Sequence, residues 1–336
     1  MATVSTGRGA RARRGTAARA LPAVLMAAGL AVGLVTGCTS SGGSTDDKRG
    51  STAPATREPR PNGSGGRPAL VVKIDNTPAA RPLTGLDAAD VVYVEQVEGG
   101  LSRLLAVYAT RLPGSIGPVR SVRESDLELL RQFDRPVLAF SGAQSKLLPL
   151  IDRAPLEEAT PVSSPDAYSR GTDRSAPHNL YLRPERLMDG PPGRAALTTG
   201  FRFGPAPAGG KPENALTVRY PAARFTFTWS AADGRWLVSL DGTPATTTEG
   251  GRPAPATVVV QYVTVRPSGY RDFLGNTTPY TETVGSGKAT VLRDGRAYGV
   301  NWSRPTARDG TSFTTADGER MTFAHGQVWV VYAKAP

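Results

Sequence analysis

The sequence predicts an α+β protein, with an N-terminal mixed α/β domain followed by a smaller, β-rich C-terminal domain. Three observations lead there. Short apolar runs and one helix-like segment alternate in the first half. A Pro- and Gly-rich stretch, with DGPPGR and FGPAPAGGKP, occupies 185–215. Beyond it, strand-like runs are punctuated by the pairs Asp233-Gly234, Asp241-Gly242, Asp294-Gly295 and Asp317-Gly318, which favour hairpin turns. The segment after residue 68 is longer than one compact core usually holds, so two domains are expected, at 68–200 and 215–336.

The first 67 residues read as targeting and spacer, not fold. Arg8, Arg11, Arg13, Arg14 and Arg19 precede the apolar run Leu21–Val35, which ends in VTGC. A basic start, a short apolar core and small residues before a cut make residues 1–37 a secretory signal, too short for a stable membrane span. VTGC resembles a bacterial lipobox, in which the cysteine is lipid-modified; the alternative is a chance cysteine after an ordinary cleavage site. Cys38 is the single cysteine of the 336 residues, so no disulfide forms within the chain. Residues 38–67 are dense in Ser, Gly and Pro and form a flexible tether reaching roughly 30 Å. Cleavage removes five arginines and no acid, lowering the formal charge from +11 to about +6. The expected location is the outer face of the bacterial cytoplasmic membrane, anchored through Cys38. That leaves lipid headgroups and wall polymers as anionic partners and sets nucleic acid aside.

In the first domain, ALVVKID (69–75) is a strand. DVVYVEQVE (90–98) and LSRLLAVYAT (101–110) form a hairpin about Gly99-Gly100, and VLAFSG (137–142) is a further strand. Ser121 and Glu124 have capping-box spacing, and Leu127, Leu129, Leu130 and Phe133 follow at helical intervals. In the second domain ALTVRY, RFTFTWS, RWLVSL, TVVVQYVTV, KATVLRD, AYGVNWS, RMTFA and QVWVVYA read as strands.

The stretch GSIGPVRSVRESD (114–126) carries the functional question. Arg120 and Arg123 sit where a helix start is already positive, which is unfavourable unless acids or a bound anion compensate. Ser121 is then either a cap or part of an anion receptor. Asp75-Asn76, at a strand end, reads as an Asx turn or a binding pair. Glu95 reads as an edge or surface acid, Glu98 lies at the hairpin turn, and Arg103 is a cross-strand partner for a carboxylate. His178, in APHNLY (176–181), is a structural histidine or an acid, base or ligand, with Asn179 beside it. His325 reads as structural. Asp166, Asp173 and His178 lack metal-site spacing, and neither metal nor cofactor is expected. No G-x-S-x-G, H-E-x-x-H, S-x-x-K or P-loop pattern occurs.

Taken together, IDN (74–76), ARP (80–82), TGL (84–86), ADVVY (89–93), EGG (98–100), SR (102–103), IGPVRS (116–121) with Arg123, and APHNLY resemble the YerB-like lipoprotein family. VNWSR (300–304), SFTTADG (312–318) and GQVWVV (326–331) look like its C-terminal domain. The family's glutamate directly after the tyrosine is here preceded by Val94, as Glu95. The resemblance implies a surface lipoprotein with an N-terminal α/β domain and a smaller C-terminal one, and implies no reaction. Two readings remain open. One is a non-catalytic binder of a cell-wall component or of wall-synthesis machinery. Its site would draw on Arg103, Arg120 and Arg123, with Asp75, Asn76, Glu98, Ser121, His178 and Asn179 around them. The other is a hydrolase or transferase on an anionic or glycan substrate, with His178 as general acid or base and Asp75 or Glu98 as a second carboxylate.

Overall fold

The computed structural model describes residues 66–272 and 274–335; the signal segment, Cys38 and the tether up to residue 65 lie outside the described residues. In chain order the first half supplies β1 Leu70–Asp75, β2 Val91–Gln96, β3 Ser102–Tyr108, α1 Glu124–Leu130, β4 Val137–Ala139, α2 Leu148–Arg153, β5 Glu157–Ala159, β6 Tyr168–Arg170 and β7 Leu180–Leu182. The second half supplies β8 Lys211–Pro212, β9 Ala215–Tyr220, β10 Ala223–Ser230, β11 Arg235–Leu240, β12 Thr243–Pro244 and β13 Thr257–Val263. β14 Val265–Arg271, β15 Thr277–Thr281, β16 Gly285–Arg293, β17 Arg296–Arg304, β18 Ser312–Thr315 and β19 Val328–Lys334 complete it. Strands dominate, and the helical share of the expected α/β half is small. α1 ends at Leu130 and does not continue to Phe133. Arg135, at φ 45°, and Pro136 follow too closely for another turn. Among the described residues no helix is long and apolar enough to cross a membrane.

The main sheet runs β18-β17-β16-β13-β19-β2-β3-β1-β4-β5, with β8 beside β17. The two sequence halves therefore share one sheet, because β19 lies parallel to β13 on one side and to β2 on the other. VVYV in β2 and VWVVY in β19 are buried at every position. A strand apolar on both faces belongs in a sheet interior, and pairing the two halves gives both strands that place. Enclosing each Val or Leu contributes about 1.5–3 kcal/mol, so the seam is held by apolar burial as well as by its ladder.

A second sheet, β12-β11-β10-β9, covers one face. Its Phe225 and Phe227 meet Trp329 of β19 edge-on, at 6.5 and 5.9 Å between ring centres. The other face carries α1 and α2, with Leu129, Leu130 and Ile151 packed on Val71, Leu105 and Tyr332. Strand alternation sorts β1 accordingly. Leu70, Val72 and Ile74 join the core under the second sheet, and Val71 joins the helix side. By the same period Lys73 and Asp75 fall on the helix side.

Two of the four Asp-Gly pairs form two-residue hairpin turns, Asp241-Gly242 between β11 and β12 and Asp294-Gly295, at φ 50° and 68°, between β16 and β17. Asp233-Gly234 closes a longer turn, and Asp317-Gly318 follows β18 without a partner strand among the described residues. RMTFA is not a strand; its Phe323 only bridges to Phe203. His325 stacks on Phe203 at 5.7 Å. Gly99 and Gly100 both take positive φ between β2 and β3, inside a short 3-10 turn over Glu98–Gly100 and not a bare two-residue turn. A Cβ on Gly100 would lie 2.5 Å from Pro221, in the turn between β9 and β10. Gly100→Ala is thus expected to cost about 1–3 kcal/mol from the left-handed backbone and the clash together, measured as a lowered urea midpoint.

Candidate functional site

Backbone pairing gathers three distant sequence blocks. Residues 116–120 run beside β1 through the Ile74–Val119 bridge, with Asp75 N–H donating to Pro118 O at 2.8 Å and Arg120 N–H to Lys73 O at 2.8 Å. On their other side Val119 N–H donates to Leu180 O of β7 at 2.7 Å. This segment therefore lies between IDN and HNLY, and the side chains of Asp75, Arg120 and His178 converge.

Asp75 is buried at the end of β1. Its Oδ1 accepts Thr77 N–H at 3.1 Å, closing the Asx turn. Its Oδ2 faces His178 Nδ1 at 2.8 Å and Arg120 Nε at 3.0 Å, the latter an ion pair without hydrogen-bond alignment. Burial pushes the Asp75 carboxyl up. The Thr77 N–H, His178, Arg120 and Arg103 outweigh that and hold it below the ordinary range. His178 Nδ1 also lies 3.3 Å from Thr77 Oγ1, while Nε2 has no partner among the described residues.

Arg123 is committed. Its Nε and Nη2 donate to the two oxygens of Glu98, each at 2.7 Å, a bidentate pair. Thr278 Oγ1 donates to the same carboxylate. Burial raises the Glu98 carboxyl, but Arg123 and Thr278 bring it below its usual value. The capping expected of Ser121 and Glu124 is not found. Arg123 is the N-cap, and Asp126 Oδ2 accepts its N–H at 2.7 Å. The helix starts two residues later than the Ser121 spacing implied. Ser121 instead turns its carbonyl to Arg103 Nη1 at 2.8 Å.

Glu95 is not a surface acid. It lies fully buried with Lys73 and Asp126 on the helix side of the sheet. Lys73 Nζ donates to Glu95 Oε1 and to Asp126 Oδ1, both at 2.7 Å, and Ser125 Oγ donates to Glu95 Oε2 at 2.8 Å. One ammonium cannot balance two carboxylates. Burial and the Glu95 charge push Asp126 up to about 8. Burial also opposes ionisation of Glu95, but Lys73, Asp126 and Ser125 together hold it at about 2.

A cavity of about 560 Å³ is lined by Glu98, Arg103, Arg120, Ser121 and Arg123 among others. Asp75 and His178 stand behind it, in contact with its lining residues Arg120 and Thr77. Asn76 and Asn179 do not line it. The Asn76 amide is taken by Ser102 and Arg81, that of Asn179 by Arg170, Gly171 and Arg174. The far wall, with Tyr270, Arg271, Asp272 and Thr278 from β14–β15, had no local signal in the sequence. It belongs to a separate two-stranded ribbon that follows β13 of the shared sheet.

Of the two compensations open to Arg120 and Arg123, acids of the protein or a bound anion, both show the first. Arg120 and Arg123 both face acids of the protein itself, and Arg103 does not. Opposite Asp75 in β1 and Glu95 in β2, Arg103 has no carboxylate at ion-pair distance among the described residues, and its only hydrogen bond is to Ser121 O. Burial, then the nearby Arg123 and Arg120 charges, push its guanidinium down to about 9 against the weaker pull of Glu98 and Asp75.

Models of two domains described as protein of unknown function (DUF3048) match this chain, the N-terminal one over residues 55–196 and the C-terminal one over 216–330. The chain is 23% identical over 279 residues to "Putative lipoprotein YerB" of Bacillus subtilis (strain 168), covering 79% of this chain and 80% of that protein. The crystal structure of YerB from Bacillus subtilis superposes with a TM-score of 0.66 at 19% identity, covering 80% of this chain and 91% of that one. That likeness extends to the fold.

Proposed function

Since this chain belongs to the DUF3048 family of proteins of unknown function, we propose that it is an extracytoplasmic lipoprotein. In this reading it is held to the membrane through Cys38 and binds an anionic envelope or cell-wall component in the cavity around Arg103. The anchor rests on the VTGC sequence and on the name of the Bacillus relative. Binding rests on one observation: Arg103 is enclosed beside the Arg120 and Arg123 guanidinium groups with no carboxylate of its own among the described residues. A cation kept in that setting costs stability unless a ligand's charge offsets it. Cys38→Ser is expected to move the protein from the membrane to the soluble fraction; retention at the membrane would remove the anchor. Pull-down of radiolabelled wall and lipid-headgroup polymers is expected to succeed with the native chain and fail with Arg103→Met, and equal capture by both would remove the binding role.

The Asp75–His178 pair favours a second reading. Asp75 fixes the imidazole through Nδ1 and leaves Nε2 without a partner, as a general base needs. Mass spectrometry of envelope glycans incubated with the native chain and with His178→Ala separates the two. A product formed only by the native chain makes the site catalytic; unchanged glycan with unchanged capture makes it a receptor.

A further inference from the structure

The cavity's charges and unused polar atoms define its ligand further than "anionic". Arg123 is consumed by Glu98, and Asp75 balances Arg120. Arg103 is left with no carboxylate at ion-pair distance among the described residues, and Arg271 and Asp272, also in the lining, add one charge of each sign. Arg120 adds Nη1 and Nη2, for which no acceptor exists among the described residues. On the opposite side of the balance stands Glu124, which lines the same cavity and whose Oε2 is buried without a partner. Ser268 and Arg266 lie beside this carboxylate, and its charge repels a second negative charge in the cavity. Val97, Leu101, Val122, Leu147 and Tyr270 form the apolar part of the wall. A volume of about 560 Å³ is also far more than a lone oxyanion fills.

We propose that the cavity takes a singly charged carboxylic acid carrying a hydroxyl or amide donor on a ring-sized body, of which a sugar acid is the type, and that it disfavours phosphate monoesters. The carboxylate bridges Arg103 and Arg120, and the neighbouring O–H or N–H donates to the Glu124 carboxylate. One negative charge is met by Arg103, whereas a phosphate monoester brings nearly two and meets Glu124. The inference rests on the reading of the cavity as an anion receptor.

Calorimetric titration of the full chain at pH 7.5 tests it with four probes: N-acetylmuramic acid, neutral N-acetylglucosamine, N-acetylglucosamine 6-phosphate, and the phosphodiester glycerophosphoglycerol. N-acetylmuramic acid is expected to bind at least about tenfold more tightly than each of the others, a margin set by one charge-assisted contact. Arg103→Met is expected to abolish that margin, and Glu124→Gln to reduce it. Arg103→Lys, which keeps the charge, serves as a second variant and is expected to retain part of it. Tighter binding of the 6-phosphate or of the diester overturns the proposed ligand while leaving an anion receptor in place. Equal binding of the neutral sugar overturns it as well. Heats that are indistinguishable from dilution for all four probes, in native chain and Arg103→Met alike, overturn the cavity reading itself.

Discussion

Lys73→Met is expected to destabilise the protein by about 3–5 kcal/mol at pH 7.5, the range for stripping one partner from a buried ion group. Lys73, Glu95 and Asp126 are buried, and among the described residues Lys73 is the one cation that both carboxylates touch. Methionine fills the space but leaves two acids facing each other. The deficit depends on pH with a definite sign. Asp126 titrates at about 8 in the folded chain against 3.8 unfolded, so its stabilising contribution is complete below 3.8 and is lost as pH rises through about 8. Without the ammonium both folded values climb, Glu95 from below its ordinary range and Asp126 beyond about 8, and the deficit of Lys73→Met therefore grows from pH 5 to pH 9. Asp126→Asn in the same background removes the acid that must take up a proton on folding and is expected to restore part of the loss. Urea unfolding at three pH values measures this. A deficit under about 1 kcal/mol, or one that shrinks toward alkaline pH, would contradict the burial argument.

Arg103→Met is expected to separate binding from stability in the opposite direction. The guanidinium lies near Arg120 and Arg123 and gains a single neutral hydrogen bond, to Ser121 O. Replacing it by an apolar side chain of similar length removes like-charge repulsion and a desolvated cation, and Arg123 Nη1 remains 3.4 Å from the Ser121 carbonyl. Unfolding free energy is expected to stay level or rise by about 1–2 kcal/mol, while ligand capture is lost. Arg123→Met provides the contrast. It orphans Glu98, so that variant is expected to lose about 2–4 kcal/mol. If Arg103→Met is as destabilising as Arg123→Met, Arg103 is a structural cation and not a receptor.

Much of this arrangement was legible in the sequence, and the failures have a common cause. β2, β3, β13 and β19 announce themselves because β-branched runs and Gly or Asp-Gly turns act locally. Arg103, Arg120, Arg123, Glu98, Asp75 and His178 could be singled out because polar groups beside apolar strands need partners. Which partner each one takes was not legible. Glu95 looked like a surface acid because nothing within twenty residues of it reveals Lys73 or Ser125. Ser121 looked like a cap because Asp126 fits the box spacing to Arg123 equally well, and the spacing alone does not rank the two. The sheet joining both halves was hidden for the same reason: the runs in β2 and β19 say that each needs two neighbours, and not which ones.

The place of β19 has a bearing on how the chain is made. Synthesis proceeds from the N-terminus, yet the strand that closes the gap between β13 and β2 comes from Val328–Lys334, at the far end. Until those residues emerge, two open strand edges wait side by side, exposed to proteases and to neighbouring chains. A stop codon anywhere before Val328 would spoil the first-made half as thoroughly as the last.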